Sequence, residues 1–141
     1  MPQQNYNNIP AELRGLDQWA LFTPGIGSEK KKRPLPGFKV NDPSTFISFS
    51  DCIAKCNATG QLPAFVLTES DPYVVFDLDA PTDNDTAALV LADHQRMLQA
   101  MGHTYTETST SGNGQHVWIK ATLPAAVKNA AACVEIYAKE R

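Results

Sequence analysis

YVVFDLD, Tyr73–Asp79, is the stretch on which the reading of this chain turns. Its opening residues are aromatic or β-branched, and a short apolar run of this kind favours a strand. Asp77 and Asp79 then break the apolar character, two residues apart. Strand interiors disfavour Asp, and a carboxylate withdrawn from water without a partner is costly. Side chains alternate across a strand, so Val74, Phe76 and Leu78 share one face while Tyr73, Val75, Asp77 and Asp79 share the other. Two carboxylates on one face, roughly 6.5–7 Å apart along the strand, can reach one divalent cation or a close pair of cations.

Two further strands repeat the arrangement. In QHVWIK, Val117 and Ile119 form one face, and His116, Trp118 and Lys120 the other. In CVEIY, Val134 and Ile136 form one face, and Cys133, Glu135 and Tyr137 the other. If the three strands lie in one sheet, Asp77, Asp79, His116 and Glu135 converge. Three oxygen ligands and one imidazole suit Mg²⁺ or Mn²⁺ better than structural zinc. Just before His116, the TSGNG turn offers the Ser111 hydroxyl and, at Gly112 and Gly114, a backbone free to turn N–H groups toward an anion. The basic run Lys30–Arg33 adds cations suited to a triphosphate or a nucleic acid.

Each feature also has a plainer role open to it. Asp77 and Asp79 can end a strand in solvent, Ser111–Gly114 can be a hairpin turn, and Glu135 and the basic run can be solvated surface. His94 and His103 read as structural. Gly25–Glu29 lacks the strand-to-helix setting and third glycine of a phosphate fingerprint.

The remaining chain supplies a scaffold. IPAELRG reads as a helical turn, Gln18–Phe22 as a strand, Pro24–Gly37 as a Gly/Pro-rich mobile loop, and a helix runs from about Ser50 to Gly60. AFVL and YVVFDLD, flanking a polar turn that ends at Pro72, read as a hairpin. A helix with Val90, Leu91, Met97, Leu98 and Met101 near helical spacing ends at Gly102, and YTETS forms a strand before the TSGNG turn. Leu123–Ala132 reads as a linker. The sum is an α+β domain with a mixed, largely antiparallel sheet and flanking helices, expected as a single domain over residues 1–141.

Composition sets the class. Hydrophobic residues make up 43% and charged residues 19% of the 141, as in an ordinary globular protein. The net charge of −3 argues against wholesale coating of nucleic acid but permits a local basic groove. Three cysteines without a CxxC pair speak against a disulfide framework or a zinc site. No apolar stretch of about 18 residues is present to span a bilayer, and the expectation is a cytoplasmic protein without membrane contact.

In order and approximate spacing, Asp77-Leu78-Asp79, Ser111-Gly112-Asn113-Gly114-Gln115-His116 and Glu135-Ile136-Tyr137 resemble the three motifs of the primase-polymerase domain of the archaeo-eukaryotic primase superfamily, in its phage and plasmid replication form. The N-terminal run Leu16–Phe22, followed by Arg33-Pro34, fits as well. The resemblance implies an RRM-like catalytic core that transfers nucleotides from dNTPs or NTPs to a 3′-hydroxyl on a DNA template. It implies that Asp77, Asp79 and Glu135 hold two Mg²⁺ or Mn²⁺ ions, and that Ser111, Gly112, Gly114 and His116 hold the triphosphate. Lys32 and Arg33 would be accessory phosphate contacts. Nucleoside triphosphates, single-stranded template or primer-template, and a replicative helicase are the implied partners. Relatives continue past the third motif, so this chain is expected to lack the C-terminal part of the domain. Two other readings remain open: a non-catalytic module that binds nucleotide, DNA or a replication protein, and a metal-dependent nuclease using the same carboxylates.

Overall fold

The computed structural model describes residues 5–24 and 32–139. The chain divides into two compact units, one of Met1–Glu69 with Lys139–Arg141 and the other of Ser70–Ala138.

In the first unit, helix α1 (Ala11–Arg14) precedes strand β1 (Trp19–Thr23). β1 is the middle strand of a three-stranded antiparallel sheet, between β2 (Arg33–Pro34) and β3 (Leu62–Phe65). Helix α2 (Phe49–Thr59) packs on β1 and β3. It starts where Ser48 accepts the Asp51 N–H, a side-chain cap that satisfies one of the orphan donors of a helix start. Trp19 anchors the core. It is 3% exposed, its indole N–H donates to the Leu13 carbonyl, and its ring meets Phe49 and Phe65 edge-on at 4.9 and 5.4 Å. Cys52 and Cys56 of α2 are buried and free of disulfides, and burial, with Cys56 adding to the effect, pushes the Cys52 thiol up to about 12. A thiol so far from ionising packs as a small apolar group.

The second unit is a five-stranded antiparallel sheet in the order β5-β6-β4-β8-β7. Its strands are β4 (Tyr73–Leu78), β5 (Thr106–Thr108), β6 (Gln115–Lys120), β7 (Val127–Asn129) and β8 (Val134–Tyr137). The apolar strand β4 is central, as its composition demands: Tyr73, Val74, Val75 and Leu78 are all buried. Helix α3 (Ala87–Met101) lays Met97, Leu98 and Met101 against the cluster of Leu78, Val117 and Val134.

Three expectations change. β3 and β4 form no hairpin: β3 pairs with β1, and β4 pairs with β6 and β8. The connection across Val66–Pro72 therefore passes from one unit to the next, because each strand finds its apolar partners elsewhere. The linker read over Leu123–Ala132 contains β7, an exposed three-residue edge strand with no apolar alternation to announce it. Of the loop read over Pro24–Gly37, residues 25–31 lie outside the described residues, while Arg33 and Pro34 form β2, paired with Thr23 and Phe22.

Candidate active site

The register of β4 builds the site. Asp77 lies directly opposite His116 of β6 and directly opposite Glu135 of β8. Directly opposed residues of antiparallel strands share a face. The row continues outward, with Glu107 of β5 opposite His116 and Lys128 of β7 opposite Glu135. A single line of chemistry thus crosses all five strands as Glu107, His116, Asp77, Glu135 and Lys128, and the apolar cluster under α3 occupies the opposite face.

Asp77 and Glu135 are the notable pair. Cross-strand Cβ atoms stand about 4.5–5.5 Å apart, and like charges so placed destabilise a sheet. His116 tempers one side, with its Nε2 3.5 Å from Asp77 Oδ1. The His116 and Asp77 side chains keep 22% and 24% exposure, enough for a ligand from solvent to reach them. On its other edge, His116 Nδ1 lies 3.1 Å from Glu107 Oε1, and the Tyr105 hydroxyl donates to Glu107 Oε2 at 2.7 Å. Burial alone would raise the Glu107 carboxyl, but hydrogen bonds from His116 and Tyr105 and the charge of His116 outweigh it and hold the group below the usual glutamate range. Burial, reinforced by Glu107, pushes the Tyr105 phenol well above its ordinary value.

Asp79 stands outside the row. β4 ends at Leu78, and the Asp79 N–H donates to the carbonyl of Cys133 at 2.9 Å. Cys133 itself has φ +53°, a left-handed conformation that costs a non-glycine residue about 1–2 kcal/mol. This turn at the start of β8 therefore fixes both Asp79 and the strand that carries Glu135. Asp79 also borders the Ser109–Gly114 turn. A Cβ on Gly114 would lie 2.8 Å from the Leu78 carbonyl and 3.4 Å from Asp79 Oδ1, so glycine is what lets the turn approach the end of β4. Gly112, at φ +78°, completes the reversal, and Ser109 Oγ accepts the Gly114 N–H and meets Ser111 Oγ at 3.0 Å. Beside this turn a cleft of about 440 Å³ is lined by Asp79, Gly112, Gly114, Asn113, His94 and Gln95, among others. His94, read as structural, is indeed buried, with Nε2 2.8 Å from the Ala132 carbonyl.

The structure therefore brings Asp77, Glu135 and His116 into adjacency and sets Asp79 beside the turn holding Ser111, Gly112 and Gly114. Lys32 and Arg33 belong to the first unit, where both are exposed and Arg33 sits on β2. Among the described residues, no three His, Cys, Asp or Glu side chains already form a gathered ion site. The donor set still fits a hard divalent cation, since Asp77, Asp79 and Glu135 present only carboxylate oxygens and the opposed pair gains from positive charge between them. Sequence reasoning missed Glu107, Tyr105 and Lys128. The signal for the first two was available: a tight Ser109–Gly114 turn sets Thr108 opposite Gln115 and hence Glu107 opposite His116. For Lys128 there was none, because its strand was hidden in the apparent linker.

The class these features define is an antiparallel α+β unit whose central strand carries a carboxylate and imidazole row next to a glycine turn. The chain is similar to a protein of Nitratiruptor phage NrS-1 named DNA primase-polymerase, with 37% identity over 128 residues, covering 86% of this chain. It spans 17% of that relative's length. No family model matches the chain. Among the described residues, no helix is long and apolar enough to cross a membrane.

Proposed function

We propose that this chain carries the nucleotidyl-transfer site of a primase-polymerase, acting on nucleoside triphosphates and a DNA template. The observation that carries this reading is the direct opposition of Asp77 and Glu135 on neighbouring strands, with His116 on the other side of Asp77. A sheet tolerates opposed carboxylates at a cost, and a cation is the ligand that turns the cost into affinity. Asp77, Asp79 and Glu135 would hold Mg²⁺ or Mn²⁺. When bound, such ions neutralise phosphate charge and make a 3′-hydroxyl easier to deprotonate.

The rest of the work falls to the chain's own groups. Gly112 and Gly114 keep the turn low enough for a triphosphate to lie against its backbone, and Ser111 offers a hydroxyl to a phosphate oxygen. With both ring nitrogens protonated, His116 keeps Nδ1–H on Glu107 and donates its Nε2–H to a phosphate oxygen, orienting the nucleotide toward Asp77. Lys128 closes the row with a positive charge, limiting the repulsion that Glu135 feels.

The test is calorimetric titration of dNTP in the presence of Mn²⁺, on the wild type and on Asp79→Ala. Binding that requires both metal and Asp79 supports the reading. A well-folded wild type that binds no nucleotide overturns it and favours an interaction module. Cleavage of DNA without added nucleotide would point instead to a nuclease.

A further inference from the structure

His116 sits between two carboxylates, and the contacts are unequal. Nδ1 is 3.1 Å from Glu107 Oε1, within hydrogen-bond distance, whereas Nε2 is 3.5 Å from Asp77 Oδ1. An ionised carboxylate only accepts hydrogen bonds, so the shorter contact requires the proton on Nδ1. Glu107 is itself held from the far side, since Tyr105 Oη donates to its other oxygen at 2.7 Å. Tyr105 is fixed in turn. Its carbonyl accepts the Trp118 N–H at 3.0 Å, and its ring lies 6.3 Å from the Trp118 ring. A chain of fixed contacts thus runs Trp118, Tyr105, Glu107, His116, Asp77 across the β5-β6-β4 part of the sheet.

We propose that Glu107 is a positioning residue: anchored by Tyr105, it takes the Nδ1–H of His116 and so locks the imidazole with Nε2 turned toward Asp77 and the place of the nucleotide phosphates. The proposal rests on the phosphate-binding role of His116 only for its functional consequence; the lock itself is a property of the sheet. An imidazole on an unbraced side chain samples both ring flips, and the flipped orientation presents Cε1 instead of Nε2 to Asp77. Backing one ring nitrogen with a carboxylate is the usual way to remove that freedom. Glu107 lies on edge strand β5, which contributes little apolar core, so a purely structural carboxylate has little reason to be half-buried there. The net lowering of its carboxyl agrees with an ionised acceptor at neutral pH.

The experiment has an arm that needs no nucleotide. Proton NMR of the wild type is expected to show a downfield, exchange-protected His116 Nδ1–H, assigned by its absence in His116→Ala. Glu107→Ala is expected to lose that resonance, and Tyr105→Phe to keep it with faster exchange. Persistence of the resonance in Glu107→Ala, or its absence from the wild type, overturns the proposal. Glu107→Gln, which preserves shape, serves if the alanine variant is unstable and is expected to shift and weaken the same resonance; an unchanged resonance there overturns it equally.

The second arm is a double-mutant cycle on Mn²⁺-dependent dNTP binding. Glu107→Ala is expected to weaken binding by about 10-fold, the lower end for residues that orient a ligand-binding histidine. The same change in a His116→Ala background is expected to have no further effect. An undiminished loss in that background shows that Glu107 does not act through His116. If the wild type binds no nucleotide at all, the functional reading of the site fails while the NMR arm still decides the lock.

Discussion

The two faces of the five-stranded sheet are built from the same strands and differ in almost every physical respect. Beneath α3, Leu78, Val117 and Val134 are buried at 3%, 1% and 6% exposure and packed with Met97, Leu98 and Met101. On the reverse, the register places Glu107, His116, Asp77, Glu135 and Lys128 in one line. The first face is held by area removed from water, which is indifferent to which apolar side chain supplies it. The second is held in spite of its opposed carboxylates, and only specific side chains at specific registers give it meaning. The charged side of β4 is not bare of core, since Tyr73 and Val75 on the Asp77 face are 6% and 1% exposed; it is toward the Asp77–Leu78 end that the period-2 alternation sets apolar packing on one side and charged groups on the other.

The sharpest way to break this comparison is to truncate one residue from each face. Leu78→Ala should cost about 2–5 kcal/mol, as buried leucine truncations do, and urea unfolding measures it. Glu135→Gln should change stability by no more than about 0.5 kcal/mol, yet abolish Mn²⁺-dependent nucleotide binding. Comparable destabilisation by the two would erase the division. Gly114→Ala tests the point where the turn presses on β4. Its new Cβ meets the Leu78 carbonyl at 2.8 Å, so the strand end must shift, at about 1–3 kcal/mol, and Asp79 must move with it. Loss of both stability and nucleotide affinity is expected, in contrast to Glu135→Gln.

Acid should discriminate the faces as well. The folded-state pKa of Glu107 is depressed, so its contribution to stability is present above the unfolded value of about 4.3 and is lost as pH falls through the lower folded value. A pH series of melting curves should show a shallower acid-side decline for Glu107→Gln than for wild type, while Val117→Ala, on the apolar face, should shift the whole curve without changing its slope. The smallest effect is expected at Cys133. Relieving its φ of +53° with Cys133→Gly should raise stability by about 0.5 kcal/mol, the relief being partly offset by the greater chain entropy of glycine.

Much of this division was legible in the sequence. The alternation in YVVFDLD, QHVWIK and CVEIY put Asp77, His116 and Glu135 on the non-apolar faces of their strands and led to the expectation that they converge, with Asp79, in one sheet; which residue stands opposite which is given by the register alone. What alternation does not encode is partner choice. AFVL and YVVFDLD carry a hairpin signal locally, yet β3 joins β1 because Phe65 completes the Trp19 core. Asp79 was placed on the strand because the pattern permits it; β4 ends one residue earlier, at Leu78, although the Asp79 N–H still donates to the carbonyl of Cys133, the residue next in the β4–β8 register. Glu107 was overlooked for a different reason: its significance comes only from the residue across the hairpin, and a lone glutamate on a short edge strand has no periodicity to mark it.

A divalent cation is expected to bind at the charged row, and not at the helix-covered face or at Asp83 and Asp85 ahead of α3. Mn²⁺ titration followed by NMR line broadening tests it most directly, because paramagnetic broadening reports distance to the ion without requiring activity. Substoichiometric Mn²⁺ is expected to broaden the resonances of Asp77, Asp79, His116 and Glu135 first, and Glu135→Gln is expected to remove the effect. Broadening that centres instead on Asp83 and Asp85, or that survives Glu135→Gln unchanged, would contradict it.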